Sequence, residues 1–297
     1  RQLLNRDLPE EERIPLIEKF RKMYETMDFY VLYNRFLKKE GYQTLPRRPL
    51  EKRKLRYEDV YPILYLKYRL SRQAERSNIK HLVIDEMQDY SLLQYLIIRR
   101  MFSCKMTILG DRAQTMADQQ QDVLQFLPGI FGKDLRRIEM RKSYRNTVEI
   151  ASYAANLIGV TDLELFERHG MPVLERDVTD LEAALREAVD TLLPDEKTYE
   201  TAAVIVPDEK TAERAYLILR GILAEKDFDC GKRLSWLNRD SSSFKKGLTV
   251  TTFYLAKGLE FDQVFSIFPK DEKREIMMQA QYIAATRALH ELRVYHI

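Results

Sequence analysis

The sequence is poor in cysteine, glycine and tryptophan, with 2, 10 and 1 of them among 297 residues. Cys104 and Cys230 cannot build a disulfide framework, and they read as buried thiols. Neither they nor the four histidines show metal-ligand spacing. Such cysteine usage fits a reducing compartment, read here as the cytoplasm. No stretch approaches the ~18 uncharged apolar residues of a membrane-spanning helix, and the residues from Arg1 onward are charged, unlike a signal peptide's apolar core. No segment repeats, none is of low complexity, and the few glycines do not cluster.

What is present is ordinary globular text: 45% hydrophobic and 32% charged residues, enough for about two domains with real cores. Opening at Arg1 in charged helical sequence, the chain reads as a piece of something longer. Its 49 Lys and Arg against 46 Asp and Glu nearly cancel, but their placement does not. Residues 35–80 hold fourteen Lys and Arg against five Asp and Glu, whereas residues 161–229 hold eight against eighteen. The basic stretch interleaves Arg47, Arg48, Lys52, Arg53, Lys54 and Arg56 with Tyr42, Tyr57, Tyr61, Tyr65 and Tyr68. Two readings stay open for it: a nucleic-acid surface, or a solvated helical arm with its tyrosines packed inward. The acidic stretch solvates helices and would repel a phosphate backbone.

Periodicity predicts helix over 10–40, where Ile14, Ile17, Phe20, Met23, Met27, Tyr30 and Phe36 recur at three- and four-residue steps, and again over 57–75. The grammar changes at His81. His81–Ile84 and Lys105–Leu109 are short apolar runs that read as buried parallel strands with a helix at about 91–101 between them. A third strand is expected at Arg137–Met140, then helices at 147–158, 178–193, 209–224 and 273–288. Strands are expected at Ala202–Val206, Leu248–Phe253, Val264–Phe268 and Leu292–Ile297. Alternating strands and helices argue an α/β fold. Trp236 reads as core.

Asp85-Glu86-Met87-Gln88-Asp89 leaves the first apolar strand at its carboxyl end, the edge where open α/β sheets bind ligands. An acid pair there suits nucleotide hydrolysis: the first carboxylate holds Mg²⁺, which takes few protein oxygens, and the second orients or deprotonates water. Acids after a strand also merely begin helices. Gly110-Asp111-Arg112-Ala113-Gln114 follows the second strand in the same manner and offers short polar contacts to a phosphate or a metal's shell.

These two runs, with Ser143-Tyr144-Arg145-Asn146, Ala256-Lys257-Gly258-Leu259-Glu260-Phe261-Asp262 and Ala285-Thr286-Arg287-Ala288, occur in the order of motifs II to VI of the UvrD/Rep branch of superfamily 1 helicases, which the sequence resembles. Finer texture resembles the HelD subfamily: Leu55 to Val60, Asp85 to Tyr90, Tyr254 to Gly258 and Thr286 to Leu292. The resemblance implies RecA-like P-loop NTPase motor domains: a helical arm over 1–80, the distal part of a first motor domain over 81–140, and a largely complete second domain over 141–297. It implies ATP and Mg²⁺ as cofactors and RNA polymerase or DNA as partners, with ATP hydrolysis between two RecA-like domains.

By the same resemblance Asp85 holds Mg²⁺, Glu86 activates water, Gln114 senses the γ-phosphate, and Arg145 and Arg287 reach it from the far side. Gln88, Asp111, Lys257, Gly258 and Glu260 belong to the nucleotide's surroundings, Glu260 at the sugar. A guanidinium fits its role because its planar fork neutralises charge growing on phosphoryl oxygens, an effect of roughly 10³–10⁵ in rate for arginine fingers.

Two departures qualify this. Gly-x-x-x-x-Gly-Lys-Ser/Thr, the Walker A loop that cradles phosphates, occurs nowhere, so the loop is expected upstream in a longer parent and this chain alone is expected to be inactive. After Gln114, where DNA-translocating relatives place base-stacking aromatics, the sequence reads Thr115-Met116-Ala117-Asp118-Gln119, and Tyr254 stands where many helicases carry His. These changes favour a protein-remodelling motor of the HelD type. A strand-unwinding DNA helicase is the alternative, and an ATPase-inactive partner-binding module the second.

Overall fold

The computed structural model describes residues 9–22, 26–71, 76, 78–111, 114, 123–132, 135–140, 142–160, 164–192, 199–226, 230–241, 246–270 and 275–297. Two compact units emerge, one drawn from Arg1–Gly110 and Gln119–Leu135, the other from Asp111–Asp118 and Arg136–Ile297.

The first unit opens with helices α1 (Glu10–Lys22), α2 (Phe29–Lys39) and α3 (Tyr57–Leu70). The helix expected over 10–40 is thus two. The chain leaves helical geometry before Asp28, whose carboxylate caps α2 by accepting from Tyr30 N–H at 3.0 Å and Val31 N–H at 3.4 Å. Arg53 forks onto the same carboxylate, Nη1 to Oδ1 at 2.9 Å and Nη2 to Oδ2 at 2.6 Å, while its guanidinium lies 4.6 Å from the centre of the Tyr30 ring. A bidentate pair holds the cap more firmly than a single bond would. Tyr30, Tyr33, Leu37 and Leu45 form a small core here, with Ile63 and Leu66 of α3 packed against it. The apolar stripe of α1 stays outside, Ile14 and Leu16 being half exposed.

Strands β1 (His81–Ile84) and β2 (Lys105–Ile108) pair in parallel, joined through α4 (Leu92–Met101), which a Ser91/Gln94 capping box starts. Among the described residues they pair only with each other, so they are less buried than a central strand: Val83 is 61% exposed. Their inner face packs on Tyr95 and on Val123 and Leu127 of α5 (Val123–Phe131). The strand expected at Arg137–Met140 does not form. Ile138 and Met140 project into solvent, Arg137 pairs with Glu139, and among the described residues no strand pairs with this segment.

The second unit carries the larger sheet. Its strands are β5 (Leu174–Asp177), β6 (Thr201–Val206), β7 (Leu234–Trp236), β8 (Gly247–Thr252), β9 (Phe261–Phe268) and β10 (Ala288–His296). They lie in the order β5-β10-β9-β6-β8-β7, every neighbouring pair parallel. Alternation along β6 explains the two faces. Ala202, Val204 and Val206 join the core under α7 (Leu181–Leu192) and α8 (Glu209–Ala224); Ala203 and Ile205 join the core under α6 (Val148–Leu157) and α10 (Glu275–Ala285). A six-stranded parallel sheet covered on both faces is an α/β arrangement, as the alternation of strands and helices predicts. The short strands β3 (Lys142–Ser143) and β4 (Glu164–Leu165) form a separate pair, and the one-turn helix α9 (Cys230–Arg233) leads into β7.

Helices at 148–157, 181–192, 209–224 and 275–285 and strands at 201–206, 247–252, 261–268 and 288–296 lie where periodicity predicts them. The edge strands β5 and β7 were not legible, since Leu-Glu-Arg-Asp and Leu-Ser-Trp carry too little apolar alternation. Trp236 is half-buried and packs against the core beside Tyr216, their ring centroids 6.0 Å apart. Both cysteines are half-buried rather than buried. Among the described residues no helix is long and apolar enough to cross a membrane.

Candidate functional site

In the first unit the Asp85–Asp89 run forms a tight turn at the carboxyl end of β1. Asp85 is exposed, and its Oδ1 accepts from the Glu86 N–H at 2.8 Å. Glu86 adopts the left-handed region, φ 52° and ψ 52°, which costs a non-glycine residue about 1–3 kcal/mol and persists only where the surroundings over-determine it. Here Gln88, itself buried, donates to the Glu86 carboxylate, Met87 N–H donates to Leu109 C=O at 2.8 Å, and the Tyr95 hydroxyl donates to Met87 C=O at 3.0 Å. Gly110 is what lets the turn sit there: a Cβ on it would fall 2.7 Å from Met87 N. Asp85, Glu86, Gln88 and Gly110 are therefore one structural piece.

The second unit gathers the remaining candidates. Asp111 Oδ2 accepts from Gln114 Nε2 at 3.0 Å and from the Tyr282 hydroxyl at 3.2 Å. Gln114, 6% exposed, turns its Oε1 to Arg287, whose Nη2 donates at 3.3 Å. Arg287 is 2% exposed, an environment a cation occupies only when its donors are satisfied. Nε donates to Ile283 C=O at 3.2 Å, Nη1 to Leu259 C=O at 3.4 Å, and Nη2 also to Thr286 Oγ1 at 3.0 Å. Burial raises the Tyr282 phenol's pKa well above its ordinary value, and the Asp111 carboxylate adds to the shift.

Arg145 meets Glu260 in an ion pair of 2.6 Å, both side chains roughly half exposed. Asn146 ties that run to the 285–288 run, its Nδ2 donating to Ala288 C=O at 2.6 Å and Thr286 C=O at 3.3 Å. Arg168 adds a second tie through Arg145 C=O and, at 2.6 Å, Leu289 C=O. Lys257 is half-buried and precedes Gly258, whose φ of 82° makes the turn into β9. Asp262 then fastens β9 to β6 by accepting from Glu200 N–H, Thr201 N–H and Thr201 Oγ1 at 3.0, 2.9 and 2.8 Å.

Glu260 immediately precedes β9 and Arg287 immediately precedes β10, so this cluster stands at the amino edge of the sheet, opposite in polarity to the Asp85 turn. Asn146, Arg168 and Tyr282 received no role from the sequence. Asn146 stood inside a quoted run and could have been asked where its amide points. Nothing in the sequence marks Arg168 or Tyr282. Arg112, Ala113 and Thr115–Gln119 lie outside the described residues. Tyr254 packs edge-on to Phe253 with the Arg239 guanidinium 6.0 Å from its ring centre.

The Asp85 turn suits a hard cation shared with a phosphate. Among the described residues no three His, Cys, Asp or Glu side chains group into a metal cage, so a cation at the exposed Asp85 carboxylate would draw most of its oxygens from phosphate and water, as Mg²⁺ does.

Residues 2–116 match the UvrD/REP helicase N-terminal domain family. No curated protein matches. Among solved structures, the C-terminal domain of a possible DNA helicase from Lactobacillus plantarum WCFS1 is 24% identical, covering 52% of this chain and 88% of that one, with a TM-score of 0.41. The PRRSV helicase is 16% identical over 75% of this chain and 36% of its own, at TM-score 0.41. Arterivirus nonstructural protein 10, a helicase solved with DNA, is 14% identical over 75% and 41%, at 0.39. The matched part of this chain thus spans well under half of either viral helicase. What the comparisons establish is a likeness over residues 2–116 to the UvrD/REP helicase N-terminal domain, in a chain whose other unit is an α/β fold with a six-stranded parallel sheet.

Proposed function

We propose that this chain is part of an ATP-dependent superfamily 1 motor of the HelD type, which remodels RNA polymerase or nucleic-acid complexes. In this reading residues 1–80 are the arm, 81–140 the distal part of a first motor domain and 141–297 a second. The observation that carries it is the chain of bonds from Asp111 through Gln114 to the buried Arg287. It links a γ-phosphate sensor to an arginine of the type that neutralises phosphoryl charge.

The residues divide the work as follows. Asp85 would hold Mg²⁺, which when bound neutralises charge on the phosphate oxygens. Glu86, aimed by its left-handed backbone and by Gln88, orients and deprotonates the attacking water. Arg145 and Arg287 stabilise charge on the phosphoryl oxygens, with Arg145 first leaving Glu260, which takes the sugar hydroxyls. Gln88, Asp111, Lys257 and Gly258 shape the surroundings of the nucleotide. The 297 residues contain no Walker A loop, so the reading requires that loop from outside them.

The test is ATP turnover by the full-length parent carrying Glu86→Gln. Turnover should fall by a factor of 10² or more while nucleotide binding persists; turnover equal to wild type would sink the assignment. A second reading, a strand-unwinding helicase of the UvrD/Rep type, draws its support from the match over residues 2–116. Single-strand DNA binding whose affinity falls steeply with salt would favour it, since the slope counts phosphate contacts.

A further inference from the structure

The arm contains a cavity of about 560 Å³ that the motor chemistry does not use. Its floor is the small core of Tyr30, Tyr33, Leu37 and Leu45. Tyr42, 65% exposed, forms one wall, and Arg48, Lys54 and Arg56 stand around it. The Arg48 and Lys54 side chains have no hydrogen-bond or ion-pair partner among the described residues, and Arg56 has only a 3.8 Å approach to the exposed Glu58. Glu58 and Asp59 line the same cavity, so with Arg48, Lys54 and Arg56 its lining keeps one net positive charge, which an anion would complement.

A second feature points into the same cavity. Asp59 lines it and is 7% exposed, and its Oδ1 accepts from the Tyr33 hydroxyl at 3.0 Å. Burial, with Asp59 adding, pushes that phenol up to about 12, so it stays a donor. Oδ2 has no partner among the described residues, which leaves one acceptor of a nearly buried carboxylate open.

A ligand with an N–H donor on a flat ring at one end and negative charge at the other would meet both features and the exposed face of Tyr42. We propose that the arm cavity binds a free nucleotide whose ring bears an N–H donor, such as a guanine nucleotide. The ring lies against the exposed Tyr42, its N–H donates to Asp59 Oδ2, and the phosphates meet Arg48, Lys54 and Arg56. The volume falls within the ~300–1,000 Å³ of small-ligand sites, a carboxylate is a known acceptor for base N–H groups, and tyrosine faces stack on bases without regard to sequence. Arg53, held by Asp28 and lying over Tyr30, fixes the floor before any ligand arrives.

The inference stands apart from the motor reading, and the experiment keeps them separate. GMP and GTP are titrated calorimetrically into the 297-residue chain without divalent cations, beside Arg48→Glu, Lys54→Glu and Asp85→Asn. Circular dichroism confirms that the exposed-site variants fold. Saturable binding that weakens tenfold or more in each of the first two variants and is unchanged in Asp85→Asn is the expected result. Three outcomes overturn it: no binding; binding indifferent to Arg48 and Lys54; or pyrophosphate competing as well as GTP, which would mean an unselective anion site. Binding of a ten-nucleotide single strand that GTP does not displace would also overturn it, making the surface one for a strand.

Discussion

Arg287 donates from Nη2 to Gln114 Oε1 at 3.3 Å across 173 positions of sequence, in surroundings that leave the arginine 2% exposed. A guanidinium so placed keeps its charge only through its acceptors, and Gln114 is the one side-chain amide among them. In the proposed motor this bond is what phosphate must exchange with, since both groups are assigned to the γ-phosphate.

A double-mutant cycle tests the bond itself. Arg287→Ala, Gln114→Ala and the pair should show a coupling of about 0.5–3 kcal/mol in urea unfolding. Arg287→Ala alone should cost about 2 kcal/mol or more, because Leu259 C=O and Ile283 C=O lose a charged donor in a buried site. Strict additivity of the two single changes would mean that the side chains do not interact.

Gly110→Ala tests the turn at Asp85–Asp89. The added methyl would come 2.7 Å from Met87 N, so backbone must move. A loss of about 1–3 kcal/mol is expected. In the parent, turnover should drop more than nucleotide affinity, since the displaced residues are those that aim Glu86. An alanine variant as stable and active as wild type would show that the turn has slack.

Glu149, in the first turn of α6, offers a pH test. Its carboxylate is held at about 2, below the ordinary 4.5, chiefly by the His169 ring at 2.9 Å, helped by backbone N–H groups including Gly170 at 2.8 Å. A depressed carboxylate stabilises the fold above its unfolded value and loses that contribution as pH falls from about 4.5 to 2. The stability gap between wild type and Glu149→Gln should therefore close over that window. Carbon-detected NMR should find the Glu149 midpoint near 2 and shifted upward in His169→Ala; an unchanged midpoint would remove the histidine as cause.

Asp28 should behave likewise in the arm. The Arg53 guanidinium is the main reason its pKa lies below the ordinary carboxylate value, with its cap bonds to Val31 and Tyr30 assisting. Asp28→Ala removes the α2 cap and the fork together and should cost about 1–2 kcal/mol, read as faster amide exchange at Tyr30 and Val31. Arg53→Met should leave the cap bonds and cost less. Equal losses in the two variants would assign the effect to the ion pair alone.

The sequence by itself determined the central strands and the covering helices of the second unit. Ala202–Val206 and Val264–Phe268 are apolar runs whose alternate residues must face opposite sides, so helices were needed on both, and α8 begins at Asp208 as its capping chemistry requires. It determined the candidate residues too, because the spacing of carboxylates, arginines and glycines is a property of the chain. Tertiary structure alone decided which of them meet. Whether Arg287 lies on the surface or in a cage depends on Leu259, Ile283 and Gln114, and strand order β10-β9-β6 sets those neighbours. Tyr282 on Asp111 and Asn146 on Ala288 are contacts across 171 and 142 positions, invisible to any local pattern. The edge strands β5 and β7 form for the same reason: their residues have weak strand character, and the outer backbone edges of β10 and β8 supply what the sequence lacks.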